Sequence, residues 1–380
     1  MICNGIALTV AATACFVELW TIVPAPTLPL LLFAVLVPEI APFGTLVSLL
    51  SLAVSLTWAT GRVRVATLVL SGTALFCALL PPAQLPATIA ACDAAMDAAF
   101  PDAFASGRRF SLARAFFGER PDATVRLERG IPFVTRDGAR LALDLYRPPG
   151  AWPHPAVVVI YGGGWRSGTR NSMADDDRKL AALGYTVVAV EYRLVPRFRF
   201  PTQAHDVEDA LSAIARNARA WGIDPKRVAL LGRSAGGQLA LSAAYRSEAV
   251  TIRSVVAYYA PVDLARGYLE PPVPDPADVR RLVRDYLDAT PQQAPQRYRL
   301  ASPLDLVRPG LPPTLLLGGR RDQLVLIRFQ RALRDALEAH GDTVVSLEFP
   351  WSNHAFDSVP EGLGGQLASS YVDEFLGATL

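Results

Sequence analysis

Charge is nearly absent from the first quarter of this 380-residue chain. Between Met1 and Cys92 it carries four charged side chains, Glu18, Glu39, Arg62 and Arg64. So few charges do not make the outer face of a soluble helical bundle, and the segment is expected to lie in a membrane. No Lys or Arg precedes the first apolar run, and the apolar region continues for about three spans' length, which argues against a cleaved secretory leader. Cysteine is missing from everything after Cys92: Cys3, Cys15, Cys77 and Cys92 all fall in the apolar part. Neither a disulfide framework nor a Cys-x-x-Cys metal site is therefore expected. The formal net charge of +2 leaves no basic footprint for nucleic acid. Internal repeats and low-complexity tracts are missing as well.

What is present begins with apolar stretches of spanning length, which takes about 20 residues. Residues 6–23 form one candidate, interrupted by Glu18. Residues 28–58 form a longer one, broken by Pro38, Glu39 and Pro42, and read as one kinked span or two half-spans. Residues 65–80 form another, ending at Pro81 and Pro82. Residues 1–85 are thus expected to hold about three spans, with four as the alternative. Arg62 and Arg64 are the basic pair between spans. The positive-inside rule puts their loop in the cytoplasm and everything after the last span on the extracytoplasmic side. Residues 86–123 read as a juxtamembrane connector with short helices. Its phenylalanines, Phe100, Phe104, Phe110, Phe116 and Phe117, face the membrane interface or the following domain.

From residue 124 the pattern changes to strands alternating with helices. Residues 124–134 and 139–146 read as a strand pair joined across Arg136-Asp137-Gly138. Short apolar runs follow at 156–161, 186–191, 228–232, 254–259, 314–317 and 343–349, the kind that suits parallel strands buried on both faces. Helical stretches at 177–183, 204–221, 235–245 and 328–340 separate most of them. Residues 124–380 are therefore expected to be an α/β domain with a mostly parallel central sheet flanked by helices. Residues 264–313 break the rhythm with prolines and one helical piece at 278–287, and read as a small lid.

Gly232-Arg233-Ser234-Ala235-Gly236 matches G-x-S-x-G between an apolar strand and a small-residue helix, the context of a nucleophile elbow in the α/β-hydrolase fold. Gly232 and Gly236 let strand and helix approach, and the sharp turn lifts the Ser234 hydroxyl to where a base can deprotonate it. Tyr161-Gly162-Gly163-Gly164-Trp165 follows another strand. The N–H groups of Gly163 and Gly164, with that of Ala235, are candidates for an oxyanion hole. A phosphate loop is the competing reading of the glycines, but the lysine and Ser/Thr of a P-loop are missing. In this fold the chain order is serine, acid, histidine. Of His154, His205, His340 and His354, the last two follow the serine. His340 precedes Gly341 at a helix end and reads as a cap, leaving His354 as the base. Asp322, just past the strand at 314–317, is the candidate acid that fixes the imidazole tautomer. Asp305 and the mid-helix Asp335 are its alternatives.

On these motifs the region 126–380 resembles the hormone-sensitive-lipase-like and feruloyl-esterase-like carboxylesterases. Gly162-Gly163-Gly164-Trp165, Glu191-Tyr192-Arg193-Leu194 with Phe200-Pro201, Asp224-Pro225 and the triad motifs carry the resemblance. It implies a structural role for Asp206 at the start of the helix after Arg193. It also implies a histidine where this chain has Tyr161, a residue that orients the glycine loop rather than reacting.

The expectation is a multi-pass membrane protein whose α/β-hydrolase domain is a serine carboxylic-ester hydrolase acting on a small, lipophilic ester reached from membrane lipid. It works through Ser234, His354 and Asp322 without metal or organic cofactor. A serine peptidase or amidase on the same fold is the alternative, and an inactive binding module the third. The sequence names no protein partner.

Overall fold

The computed structural model describes residues 2–101, 109–119, 124–150 and 152–380. Phe104 of the expected connector lies outside them. The chain opens with α1 (Ile2–Glu18), extended by a 3-10 turn to Thr21, then α2 (Leu28–Glu39), α3 (Ala41–Trp58) and α4 (Gly61–Ala99). The segments Ile2–Thr21, Ala41–Trp58 and Gly61–Ala99 are long and apolar enough to cross a membrane.

These helices meet through small side chains. Gly44, Ser48, Ser51 and Ser55 of α3 are buried, as are Thr67, Ser71 and Ala74 of α4. The Ser71 hydroxyl lies 2.8 Å from that of Ser51 and 3.1 Å from that of Ser55. Large side chains such as Leu46, Leu50, Val65, Val69 and Phe76 point outward. Small residues inside and large apolar ones outside is the arrangement of helices packed in lipid, the reverse of a water-soluble bundle. Asn4 Oδ1 accepts the Thr60 N–H at 2.9 Å, so the start of α1 and the α3–α4 turn occupy one end of the bundle.

Two elements depart from the sequence reading. The stretch 28–58 splits at Ile40, and the 12-residue α2 is about 18 Å long, too short to cross. Both its ends instead rest on the C-terminal domain. Nor does α4 stop at Pro81-Pro82: it runs 39 residues, through Pro86, to Ala99. The Thr45 hydroxyl reaches the Ala78 carbonyl (3.5 Å), the acceptor that Pro82 leaves without a donor. The far half of α4 then buries Cys92 and Met96, with Leu85 and Ile89, among Val345, Phe349, Tyr371 and Phe375. Each interior proline costs about 3 kcal/mol, and burial of several large side chains at about 1.5–3 kcal/mol each offsets it. The first part of the expected connector is therefore helix, sharing a core with the domain that follows. A short α5 (Leu112–Phe117) is capped by Ser111, whose hydroxyl accepts the Arg114 N–H.

The α/β domain alternates β1 (Arg126–Arg136), β2 (Ala139–Arg147), β3 (His154–Ile160), α6 (Ala174–Ala182), β4 (Thr186–Val190), α7 (Thr202–Trp221), β5 (Ile223–Arg233), α8 (Ala235–Ala244) and β6 (Ile252–Tyr258). After the lid come β7 (Thr314–Gly319), α12 (Ile327–Ala339), β8 (Val344–Phe349) and α13 (Leu363–Thr379). The eight strands order as β1-β2-β4-β3-β5-β6-β7-β8. β2 runs antiparallel to β1 and β4, and the rest are parallel. Successive residues of β3 alternate between two cores, Val158 and Ile160 facing one, Val157 and Val159 the other. A sheet covered on both faces leaves only its carboxyl edge for a site.

The lid holds three helices rather than one: α9 (Leu264–Leu269), α10 (Val279–Leu287) and α11 (Pro295–Ala301). Asp263 and Asp278 cap the first two, accepting the N–H groups of Arg266 and Arg281. Tyr286 of α10 stacks on Trp165 with centroids 4.2 Å apart, which fixes the lid over the glycine loop.

Candidate active site

Six parallel strands end at one edge, and each is followed by a piece of the site or of its support. β5 passes directly into Ser234, which sits at φ 52°, ψ −120° before α8. A β-carbon on Gly236 would stand 2.1 Å from the Ile160 carbonyl oxygen, and one on Gly232 would stand 2.2 Å from that of Gly236. Strand, turn and helix are thus close enough to force the serine into the left-handed half of backbone space.

After β8, the loop carrying His354 folds back over this turn. His354 Nε2 lies 2.9 Å from Ser234 Oγ, and Nδ1 lies 2.8 Å from Asp322 Oδ2. Asp322, just past β7, keeps Oδ1 for the N–H groups of Leu324 (2.7 Å) and Val325 (2.8 Å). The carboxylate is thereby held at both oxygens and cannot swing away from the imidazole. His354 and Asp322 are buried. The other candidates lie elsewhere: His340 terminates α12, Asp335 is exposed on α12 and paired with Arg334, and Asp305 sits in a 3-10 turn behind the lid.

β3 leads into the glycine loop. Gly163 has φ 123°, and a β-carbon there would meet the Ser167 carbonyl at 2.2 Å, so only glycine fits. Among the described residues no hydrogen bond occupies the N–H groups of Gly163, Gly164 or Ala235, and all three residues line the cavity in front of Ser234. Tyr161 does not face that cavity's reacting edge. Its ring stacks on Tyr192 at 4.4 Å, its hydroxyl donates to the Tyr192 carbonyl (3.2 Å), and the Tyr192 hydroxyl donates to the Tyr161 carbonyl (3.0 Å). Burial pushes the Tyr161 phenol up to about 12, so it stays a donor. The reciprocal pair anchors the start of the loop. Asp206, in the first turns of α7, accepts the Arg193 main-chain N–H (2.9 Å) and its guanidinium (2.6 Å), fixing the segment after β4.

Several contributors carry no local sequence signal. Tyr259 packs its ring 4.5 Å from that of His354 and donates to Asp357 Oδ1. Burial, with Asp357 beside it, holds that phenol well above its ordinary value. The Arg233 guanidinium lies buried under the elbow between Asp357 and Asp176 (2.7 Å). It ties the histidine loop to α6. Asn353, adjacent to His354, accepts the main-chain N–H groups of His354 (2.8 Å) and Gln323 (3.1 Å). The cavity in front of the serine measures about 510 Å³ and is mostly apolar, with Leu264, Val279, Leu282, Val283 and Phe329 among its walls. Leu28, the first residue of α2, is also a wall residue. Among the described residues no group of three or more His, Cys, Asp or Glu side chains could hold a metal ion.

Known proteins resemble this chain in sequence and in fold. The BD-FAE family model matches residues 143–337, just over half of the chain. The probable carboxylic ester hydrolase LipM of Mycobacterium tuberculosis is 30% identical over 251 residues, covering 62% of this chain and 57% of LipM. The esterase LipQ of the same organism is 28% identical over 261 residues, covering 63% and 60%. The chain thus spans less than two thirds of the length of these relatives. Among solved structures, a hyperthermophilic esterase from the archaeon Pyrobaculum calidifontis superposes with a TM-score of 0.58 at 29% identity, covering 66% of this chain and 85% of that one.

Proposed function

The chain belongs to the BD-FAE family of α/β-hydrolases, and from that premise and the geometry of the site we propose that it is a membrane-anchored serine carboxylic-ester hydrolase. The observation that carries the proposal is the continuous relay from Ser234 Oγ through His354 to Asp322, with links of 2.9 and 2.8 Å. His354 Nε2 takes the serine proton as Oγ attacks the ester carbonyl, and Nδ1–H donates to Asp322, which stabilises the imidazolium without accepting the proton. The carbonyl oxygen becomes an oxyanion facing the N–H groups of Gly163, Gly164 and Ala235, where each donor contributes about 10²–10³ in rate. His354 then protonates the departing alcohol. Water, deprotonated by the same nitrogen, attacks the acyl-enzyme and releases the acid and free serine.

The apolar cavity supports a lipophilic acyl group, since a pocket of this size and lining binds by burial with few polar anchors. The three long apolar helices, with small residues inward and large ones outward, support a membrane anchor. Arg62 and Arg64 stand at the bundle end beside Asn4, while Ile22, Ala25 and the far half of α4 meet the α/β domain at the other end. With the basic pair in the cytoplasm, the catalytic domain lies outside it.

The test is hydrolysis of p-nitrophenyl esters of graded chain length by the full chain in detergent, beside Ser234→Ala. Loss of the serine is expected to cost on the order of 10⁶ in turnover. Undiminished ester cleavage by Ser234→Ala, or an anilide cleaved faster than its matched ester, would overturn the assignment, the second in favour of an amidase.

A further inference from the structure

We propose that the segment from Ile22 to Glu39, between the first two long apolar helices, is a working part of the active site. Gln323 is the positioning residue that couples it to the acid and base loops. The proposal rests on the Ser234–His354–Asp322 reading above.

The coupling runs through one buried side-chain amide. Gln323 immediately follows Asp322, yet its side chain points away from the cavity and toward the loop before α2. There Oε1 accepts the Ala25 N–H (2.9 Å) and Nε2 donates to the Ala25 carbonyl (3.1 Å). Ala25 stands between Pro24 and Pro26, so it supplies the one main-chain N–H of that tripeptide, and Gln323 takes it. The same Oε1 accepts Asn353 Nδ2 (3.3 Å), while Asn353 Oδ1 holds the main-chain N–H groups of Gln323 and His354. Ala25, Gln323 and Asn353 are all buried. A single Gln–Asn pair thus joins the loop of the acid, the loop of the base and a segment about 300 residues earlier, and in this dry setting an unmet partner is costly.

Other contacts repeat the pattern on either side. Arg321 donates to the Ile22 carbonyl. At the far end of α2, the buried Glu39 carboxylate accepts the Ser352 hydroxyl and the Gly364 N–H, both at 2.6 Å. Leu324, whose N–H holds Asp322, packs its side chain against Ala25, Leu31 and Ala34. The segment therefore touches the acid loop, the base loop and, through Leu28, the cavity wall. A misplacement of about 1 Å in such a constellation costs on the order of 10²-fold in rate. With α1 and α3 fixing both ends of the segment, the placement of the apolar bundle sets the turnover number.

Full-length protein in one detergent is compared with Gln323→Met, which keeps the volume and removes all three hydrogen bonds of the side-chain amide, with Ala25→Pro, which removes the donor and leaves Gln323 intact, and with the double variant. Rates on p-nitrophenyl butyrate are divided by the concentration of serine titrated with a fluorophosphonate, so that loss of folded protein drops out. We expect each single variant to lose about 10–100-fold in kcat with KM changed by less than about threefold. The double variant should be no slower than the slower single, because both remove one shared interaction. A merely structural role predicts unchanged kcat per titrated serine, and that result in either single variant overturns the proposal. Additive losses in the double variant overturn it too. The Ser234→Ala control separates the two failures: retained activity there defeats the serine mechanism and this proposal together, whereas a dead control beside normal Gln323→Met and Ala25→Pro defeats this proposal alone.

Discussion

Asparagine at position 322 tests the relay where its geometry is most constrained. In the native site Asp322 Oδ1 takes two main-chain N–H groups, from Leu324 and Val325, and Oδ2 faces His354 Nδ1. An Asp322→Asn side chain has one oxygen and one NH₂. Keeping the oxygen on the two N–H groups points the NH₂ at Nδ1, which must then be unprotonated, so the proton sits on Nε2 and cannot be exchanged for that of Ser234. The productive orientation requires a flip that leaves two buried N–H groups facing an NH₂. At about 1–3 kcal/mol for each unsatisfied donor the flip costs about 2–6 kcal/mol, and kcat should fall by about 30-fold to about 2 × 10⁴-fold. KM and thermal stability should stay close to native, because the retained oxygen keeps the loop's hydrogen bonds. Steady-state hydrolysis of p-nitrophenyl butyrate, normalised to titrated serine, reads the effect. A fall of less than about tenfold would refute the reasoning, since it would mean that the Leu324 and Val325 N–H groups do not fix the orientation of the side chain.

Three further outcomes are expected. Arg233→Met removes the cation between Asp357 and Asp176 beneath the elbow; it should lower stability by about 3–5 kcal/mol, read as a drop in unfolding temperature, and a native melting curve would count against a buried ion cluster. Burial raises the Asp373 carboxyl to about 6, despite Lys179 at 3.3 Å. A folded-state value above the unfolded one contributes stability in full below about pH 4 that is lost as pH rises through about 6; Asp373→Asn should flatten that part of the stability–pH curve, and an unchanged slope would refute the assignment. Leu28→Trp narrows the cavity at α2, and with about 0.8 kcal/mol per buried methylene the kcat/KM ratio of octanoate to acetate ester should drop about tenfold or more; an unchanged ratio would show that the acyl chain runs elsewhere.

The residues that meet at the cavity were legible in the sequence because each sits in a short stretch whose chemistry is local. The Gly232–Gly236 pentapeptide, the three glycines after β3 and Asp322 and His354 just past apolar runs need no knowledge of distant contacts to be noticed. The strand–helix alternation was equally local, and strand bounds moved by a few residues, most at β5, which begins at Ile223. Tertiary contacts decided what stayed hidden. Pro81 and Pro82 read as a stop, yet α4 continues through them and Pro86 because Cys92 and Met96 find a core supplied by residues some 250 positions later. The stretch 28–58 and the loop before it carry nothing that says α2 rests on the α/β domain, since the partners of Ala25 and Glu39 are Gln323, Ser352 and Gly364. Of the lid's two extra helices, α9 did leave a trace, in the Asp263 that caps it, but it is weak among so many prolines. Tyr161 shows a different limit: its role depends on the stacked Tyr192, 31 positions away.

The placement of thiols has a practical consequence. Cys15, Cys77 and Cys92 are buried and Cys3 is exposed, at the bundle end where Asn4 bonds to Thr60, next to Arg62 and Arg64. The native chain thus carries a single accessible sulfhydryl, and it marks the pole opposite the Ser234 cavity. A bulky maleimide that does not cross bilayers, applied to sealed right-side-out and inverted vesicles, reports which compartment that pole faces. Hydrolysis of a charged, impermeant ester in the same vesicles reports the other pole, so both faces are mapped without an engineered residue.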